Sequence, residues 1–166
     1  MVVGSFSSNY HGIPRSTKDA DIVLEFDSGT WERLSLKLPE GLSLEPQGSL
    51  EMVTATRKEV VIVDGSVFEI EVFHLSEDLF DKERFSRREK VELTEGQLAW
   101  VATAEDVIVQ KLRWAKGGLR AKDYDDVVNV LLRKKGDVDF DYVNHWCGLH
   151  DTLPLLEKAM EEACSK

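Results

Sequence analysis

At 166 residues the chain is sized for one domain, or a domain with a small helical appendage, and 42% hydrophobic residues are enough to bury a core. A formal net charge of −10 excludes a general basic footprint for nucleic acid, so an RNA substrate would need a local patch. No apolar run approaches the roughly 18 residues of a membrane span and no signal peptide opens the chain, which implies a soluble cytoplasmic protein.

Met1-Val2-Val3 is an apolar stub running directly into Gly4, so the first element is expected to be abbreviated. From Gly4-Ser5 the chain passes through a polar segment with Gly12 and Pro14 and reaches Asp19 and Asp21 as a β-favouring run, DIVLEF over 21–26, begins. In a strand, carboxylates at i and i+2 project to one side about 7 Å apart. That pair suits Mg²⁺, which takes hard oxygen ligands, often one or two protein carboxylates plus substrate phosphates. A Gly-Ser turn lets backbone N–H groups approach a phosphate closely. His11 reads as an exposed loop histidine.

Asp27-Ser28-Gly29-Thr30 makes a turn with a helix N-cap, and 31–38 is a short helix stopped by Pro39 and Gly41. Strands are predicted at 49–55, 58–63 and 67–75, the last two joined by a two-residue hairpin at Asp64-Gly65. Glu69 and Glu71 fall on one face of the third. Residues 87–102 form a charged strand, a Glu95-Gly96 turn and a second strand, covering one side of the core. Thr103 or the acidic residues after it open a helix with Val107, Ile108, Leu112 and Trp114 as its apolar stripe, broken at Gly117-Gly118. A second helix from Ala121 ends in Arg133-Lys134-Lys135-Gly136, cations and then glycine. Helices at 140–147 and 154–164 complete the chain.

These elements predict an α/β (α+β) fold with a mixed sheet flanked by helices, divided into a core at 1–102 and a helical part at 103–166 packed on it. Helical spacing puts Asp123 and Asp126 on one face, and Lys111 on the preceding helix folds against them across the Gly117-Gly118 bend; an inter-helix ion-pair network is the plain reading. The four Trp residues read most simply as packing, with Trp31 and Trp114 as alternatives for stacking on a base. Cys147 and Cys164 are too few for a zinc site or a disulfide framework and read as reduced thiols.

The string formed by Gly4, Ser5, Gly12, Arg15, Thr17, Asp19 and Asp21, placed just before a strand, resembles the signature of the DNA polymerase β-like nucleotidyltransferase superfamily. Within it the chain is most similar to small bacterial proteins of minimal-nucleotidyltransferase and abortive-infection toxin type, over most of its length to about residue 132. The resemblance implies a third carboxylate at Glu71, ahead of the segment 78–85 that matches a D-x-F-D-x-x-x-F helix. Glu stands there where Asp is common in similar proteins, moving the carboxylate by roughly 1.5 Å. It further implies nucleotide-binding roles for Gly4, Ser5, Lys111, Arg120, Lys122 and Asp126, a functional acid at Asp123, and Asp19, Asp21 and Glu71 as ligands for one or two Mg²⁺ ions. The activity so implied moves a nucleoside monophosphate from an NTP to a hydroxyl of a protein, a tRNA end or a small molecule. The alternative is an inactive nucleotide-binding module serving as a toxin–antitoxin component or a subunit. A protein partner or antitoxin fits either, while the acidic balance gives no support to tRNA.

Overall fold

The apolar run that follows Asp19 becomes the strand on which the sheet is built. The computed structural model describes residues 1–26, 29–51, 56–116, 120–134 and 136–166. In chain order the elements are β1 (Val2–Val3), α1 (Gly4–His11), β2 (Asp19–Leu24), α2 (Thr30–Ser35), β3 (Leu42–Leu44), β4 (Ser49–Glu51), β5 (Thr56–Val63), β6 (Glu69–His74), α3 (Leu79–Ser86), β7 (Glu89–Thr94), β8 (Gln97–Val101), α4 (Ala104–Ala115), α5 (Ala121–Arg133), α6 (Phe140–Leu149) and α7 (Leu153–Ser165). The strands form one mixed sheet in the order β3-β5-β6-β2-β1-β8-β7, with β4 paired to β5 off that path. It is an α+β fold.

The register of the central strands decides which carboxylates meet. β2 runs parallel to β6 with Asp21 opposite Glu71, and antiparallel to β1 with Asp21 opposite Val3. Side chains opposite each other across a ladder share a face, so the Asp21 and Glu71 carboxylates emerge together. The core sits on the helical side. Val3, Val23 and Phe80 join Ile108 and Leu112 of α4, Val127 and Val130 of α5, Val143 of α6 and Leu156 of α7 in one continuous apolar cluster. Thr103, Asp78 and Asp139 cap α4, α3 and α6, each side-chain oxygen accepting from a backbone N–H three residues on. No helix among the described residues is long and apolar enough to cross a membrane.

Several expectations change. His11 is buried in the last turn of α1, with Nε2 2.7 Å from the Ala102 carbonyl oxygen; its ring is enclosed, and burial lowers its pKa. The Ser-rich segment carries little apolar periodicity, yet it folds as a helix because β1 pins its start and α4 and α5 pack against it. At Gly12, α1 meets α5 backbone to backbone: a Cβ there would lie 3.0 Å from Val130 N and 3.1 Å from Asn129 C. Trp100 is 46% exposed and so is no packing residue, and β7 lies on the surface instead of covering the core. Asp64-Gly65 does form a β-turn, the Ser66 N–H donating to the Val63 carbonyl at 3.0 Å. Gly65 has positive φ and Asp64 does not, whereas a tight type I′ hairpin needs it at both central residues, so pairing resumes later, at Ile62 opposite Glu69. The short strand β3 is an addition to the predicted elements, and α2 stops at Ser35, short of its predicted end. The predicted features at Asp27-Ser28, 52–55, Gly117-Gly118 and Lys135 lie outside the described residues.

Candidate active site

Asp19, Asp21 and Glu71 line one cleft of about 600 Å³, together with Ser5, Lys111 and Asp123. Gly4 explains why Asp21 sits as it does. Gly4 has φ +59°, and a Cβ on it would lie 1.7 Å from Asp21 Oδ2, so the carboxylate occupies the space that a missing side chain leaves. The turn from β1 into α1 thus sets the floor of the cleft, and the first turn of α1 has no side-chain cap on its N–H groups. Asp19 is steadied differently, its Oδ1 accepting from the Thr17 hydroxyl at 2.6 Å.

The acidic end of the cleft is electrostatically crowded. Burial first, then the neighbouring charges of Glu71 and Asp19, push the Asp21 carboxyl up to about 7, against the opposing pull of Lys111. Glu71 is relieved in another way, Lys58 Nζ donating to its Oε1 at 2.7 Å. Among the described residues no group of three or more His, Cys, Asp and Glu side chains is arranged to hold a metal ion. The donors themselves suit a hard cation. Two carboxylates on one strand face supply the one or two protein ligands that Mg²⁺ commonly takes when phosphates and water complete its shell.

Behind the cleft lies a buried ion network. Lys111 Nζ donates to Asp123 Oδ1 at 2.7 Å and to Asp126 Oδ2 at 2.8 Å, all three groups being at most 3% exposed. Arg15 grips the same Asp126 with both prongs, Nε to Oδ1 at 2.6 Å and Nη2 to Oδ2 at 2.8 Å, and its Nη2 also donates to Ser5 Oγ at 3.0 Å. Burial alone would raise the Asp126 carboxyl, but the Arg15 and Lys111 bonds hold it below the usual carboxylate range. Asp126 therefore stands beneath the cleft wall as a joint between α1, α4 and α5. Asp123 reaches the cleft itself, with Arg120 Nη1 3.8 Å from its Oδ2. Arg120 and Lys122 stand on the rim, exposed, and the Arg120 and Lys111 cations lie over the Trp114 ring, 5.3 and 5.7 Å from its centroid. Glu69 is exposed and lines no part of the cleft, and Trp31 packs edge-on against Phe26.

No protein-family model matches the chain, and no curated protein does. Among solved structures, the Helicobacter pylori protein JHP933 aligns with 96% of this chain and 84% of its own, at 15% identity and a TM-score of 0.41. An antigenic nucleotidyltransferase-like protein from Paracoccidioides brasiliensis covers 96% of this chain and 83% of its own, at 15% identity and a TM-score of 0.50. The fold is nucleotidyltransferase-like. On this nucleotidyltransferase-like sheet, two contacts at the cleft are missing from the sequence reading. Arg15 is visible there only as part of a motif string, because its partner Asp126 lies 111 positions away. Lys58 does leave a signal: folding the chain about Asp64-Gly65 as a two-residue hairpin would set Lys58 opposite Glu71. The observed register, with Lys58 opposite Phe73, is offset by two residues and so keeps Lys58 and Glu71 on the same face.

Proposed function

We propose that this chain is a Mg²⁺-dependent nucleotidyltransferase that moves a nucleoside monophosphate from an NTP to a hydroxyl acceptor, releasing pyrophosphate. The observation that carries this reading is the shared cleft of Asp19, Asp21 and Glu71 beside the uncapped first turn of α1. Asp19 and Asp21 would hold Mg²⁺, which supplies charge neutralisation at the triphosphate. Glu71, on the adjacent strand, accepts the proton of the attacking hydroxyl. The Gly4-Ser5 end of α1 offers its free N–H groups to the phosphates, and Arg120 and Lys122 on the rim add positive charge there. Lys111, Asp123 and Asp126 act by holding that wall in place. Positioning and electrostatics carry most of phosphoryl-type transfers, so this small set suffices.

The resemblance of the motif string supports a minimal nucleotidyltransferase of the abortive-infection type, working in the cytoplasm with a protein partner or antitoxin. The acidic balance favours a protein or small-molecule hydroxyl over bulk RNA as acceptor. The ion pair between Lys58 and Glu71 favours a second reading, an inactive nucleotide-binding module, since it occupies an oxygen of the proposed base. Label transfer from an α-³²P-NTP separates the two. The enzyme transfers label and the Asp19→Asn variant does not, whereas wild-type protein that binds Mg²⁺·NTP and transfers nothing to protein, RNA or small-molecule acceptors is the module.

A further inference from the structure

We propose that Lys58 supplies the countercharge of Glu71, so that the cleft takes one divalent ion on Asp19 and Asp21 and none on Glu71. This rests on the nucleotidyltransferase reading above and assigns Lys58 a part that its motif string does not contain. Lys58 stands on β5 opposite Phe73, so its side chain leaves the sheet on the face that carries Glu71 and reaches it diagonally, two residues along β6. The ammonium donates to Glu71 Oε1 at 2.7 Å, and the two side chains are 23% and 22% exposed, partly withdrawn from solvent but open to the cleft.

Among the described residues four carboxylates line this cleft, Asp19, Asp21, Glu71 and Asp123, and of its cations Lys111 is already held by Asp123 and by Asp126 behind the wall. Among the described residues, Lys58 is the cation that meets Glu71. A divalent ion approaching Glu71 meets a fixed like charge and has to break a charge-assisted hydrogen bond before it can bind. One approaching Asp19 and Asp21 meets no cation bonded to either among the described residues: Thr17 donates to Asp19 as a neutral hydroxyl, Asp21 faces Glu71 and Gly4, and the Lys111 charge that acts on Asp21 is tied by its own bonds to Asp123 and Asp126. A lysine is suited to the task, being a point charge on a flexible stem that neutralises a carboxylate while leaving no coordination site.

The experiment counts Mn²⁺ bound to the full chain without nucleotide, by electron paramagnetic resonance of free Mn²⁺ during titration. Wild type and Lys58→Arg are expected to bind one ion, lost in Asp19→Asn. Lys58→Met is expected to bind two, returning to one in the Lys58→Met/Glu71→Gln double variant. Lys58→Gln replaces the methionine variant if its melting curve shows that it does not fold. A count of one in the charge-free variants overturns the proposal. So does a count of two in wild type with both ions lost in Asp19→Asn, an outcome that leaves the nucleotidyltransferase reading standing. No ion bound by wild type overturns the proposal as well, and the nucleotidyltransferase reading then stands or falls on the label-transfer assay.

Discussion

Gly4→Ala is the sharpest test of how the cleft is built. The added methyl would lie 1.7 Å from Asp21 Oδ2 and 2.5 Å from its Cγ, where ordinary contact needs about 3.5 Å, so the carboxylate has to retreat by roughly 2 Å. It cannot do so by moving β2, because Asp21 is paired to Val3 on one side and Glu71 on the other. The carboxylate must rotate out of the cleft, and because the methyl would also lie 2.9 Å from Asp21 Cβ, which rotation leaves in place, the turn at Gly4 must give as well. The backbone at φ +59° adds a left-handed penalty of about 1–2 kcal/mol for a residue with a Cβ. Gly41→Ala is the control, since Gly41 has φ +88° and an added methyl there would meet nothing within 4 Å, so it feels the backbone penalty alone. Gly41→Ala should lose about 1–2 kcal/mol in urea denaturation, and Gly4→Ala more than that because the clash adds to the backbone penalty. Only Gly4→Ala should also lose Mn²⁺ binding and nucleotide transfer, the latter by about a hundredfold or more for a misplacement of this size. Undiminished Mn²⁺ binding by Gly4→Ala would refute the claim that the absent Cβ positions Asp21.

The Asp21 carboxyl, raised to about 7 from an ordinary 3.8, makes the folded state the stronger proton binder between those values. Its penalty is therefore absent below about pH 4 and complete above pH 7, and Asp21→Asn should stabilise the chain at pH 8 by on the order of 2–4 kcal/mol in urea unfolding, but not at pH 4. By the same linkage, apparent Mn²⁺ affinity should rise with pH up to about 7 and then level off. Asp126→Asn leaves Lys111 and Arg15 facing a neutral amide in a buried joint and should cost about 3–5 kcal/mol, seen as a lower melting temperature that added salt does not restore. His150, packed on Trp146 and Phe80, is held down to about 4, by burial first and then by Arg113. Its contribution to stability is present above the ordinary 6.5 and fades as pH falls toward 4, so the stability difference between wild type and His150→Gln should shrink over that window.

The fold is legible wherever side-chain pattern and local punctuation agree. Thr103 before the apolar stripe of Val107, Ile108 and Leu112 announces α4, and the Glu95-Gly96 pair announces the β7–β8 turn. The helix α1 is not legible, because its buried residues are Gly4, Ser5, Ser7, Ser8 and His11, a set that reads as loop until the packing of α4 and α5 is known. Asp19 and Asp21 can be picked out because strand alternation is a local rule. The face shared by Lys58 and Glu71 follows from the hairpin about Asp64-Gly65, whereas the grip of Arg15 on Asp126 is a product of helix docking, which no short window of sequence contains.

The close approach of α1 to α5 at Gly12 limits how a substrate can enter. With the main chains of the two helices meeting there, and Arg15 bolted to Asp126 nearby, the floor and the rear wall of the cleft travel as a unit, not as jaws on a hinge. The cleft's other lining comes from β4, with the exposed Ser49 and Leu50, and under the proposed activity a bulky acceptor would come in over that lip.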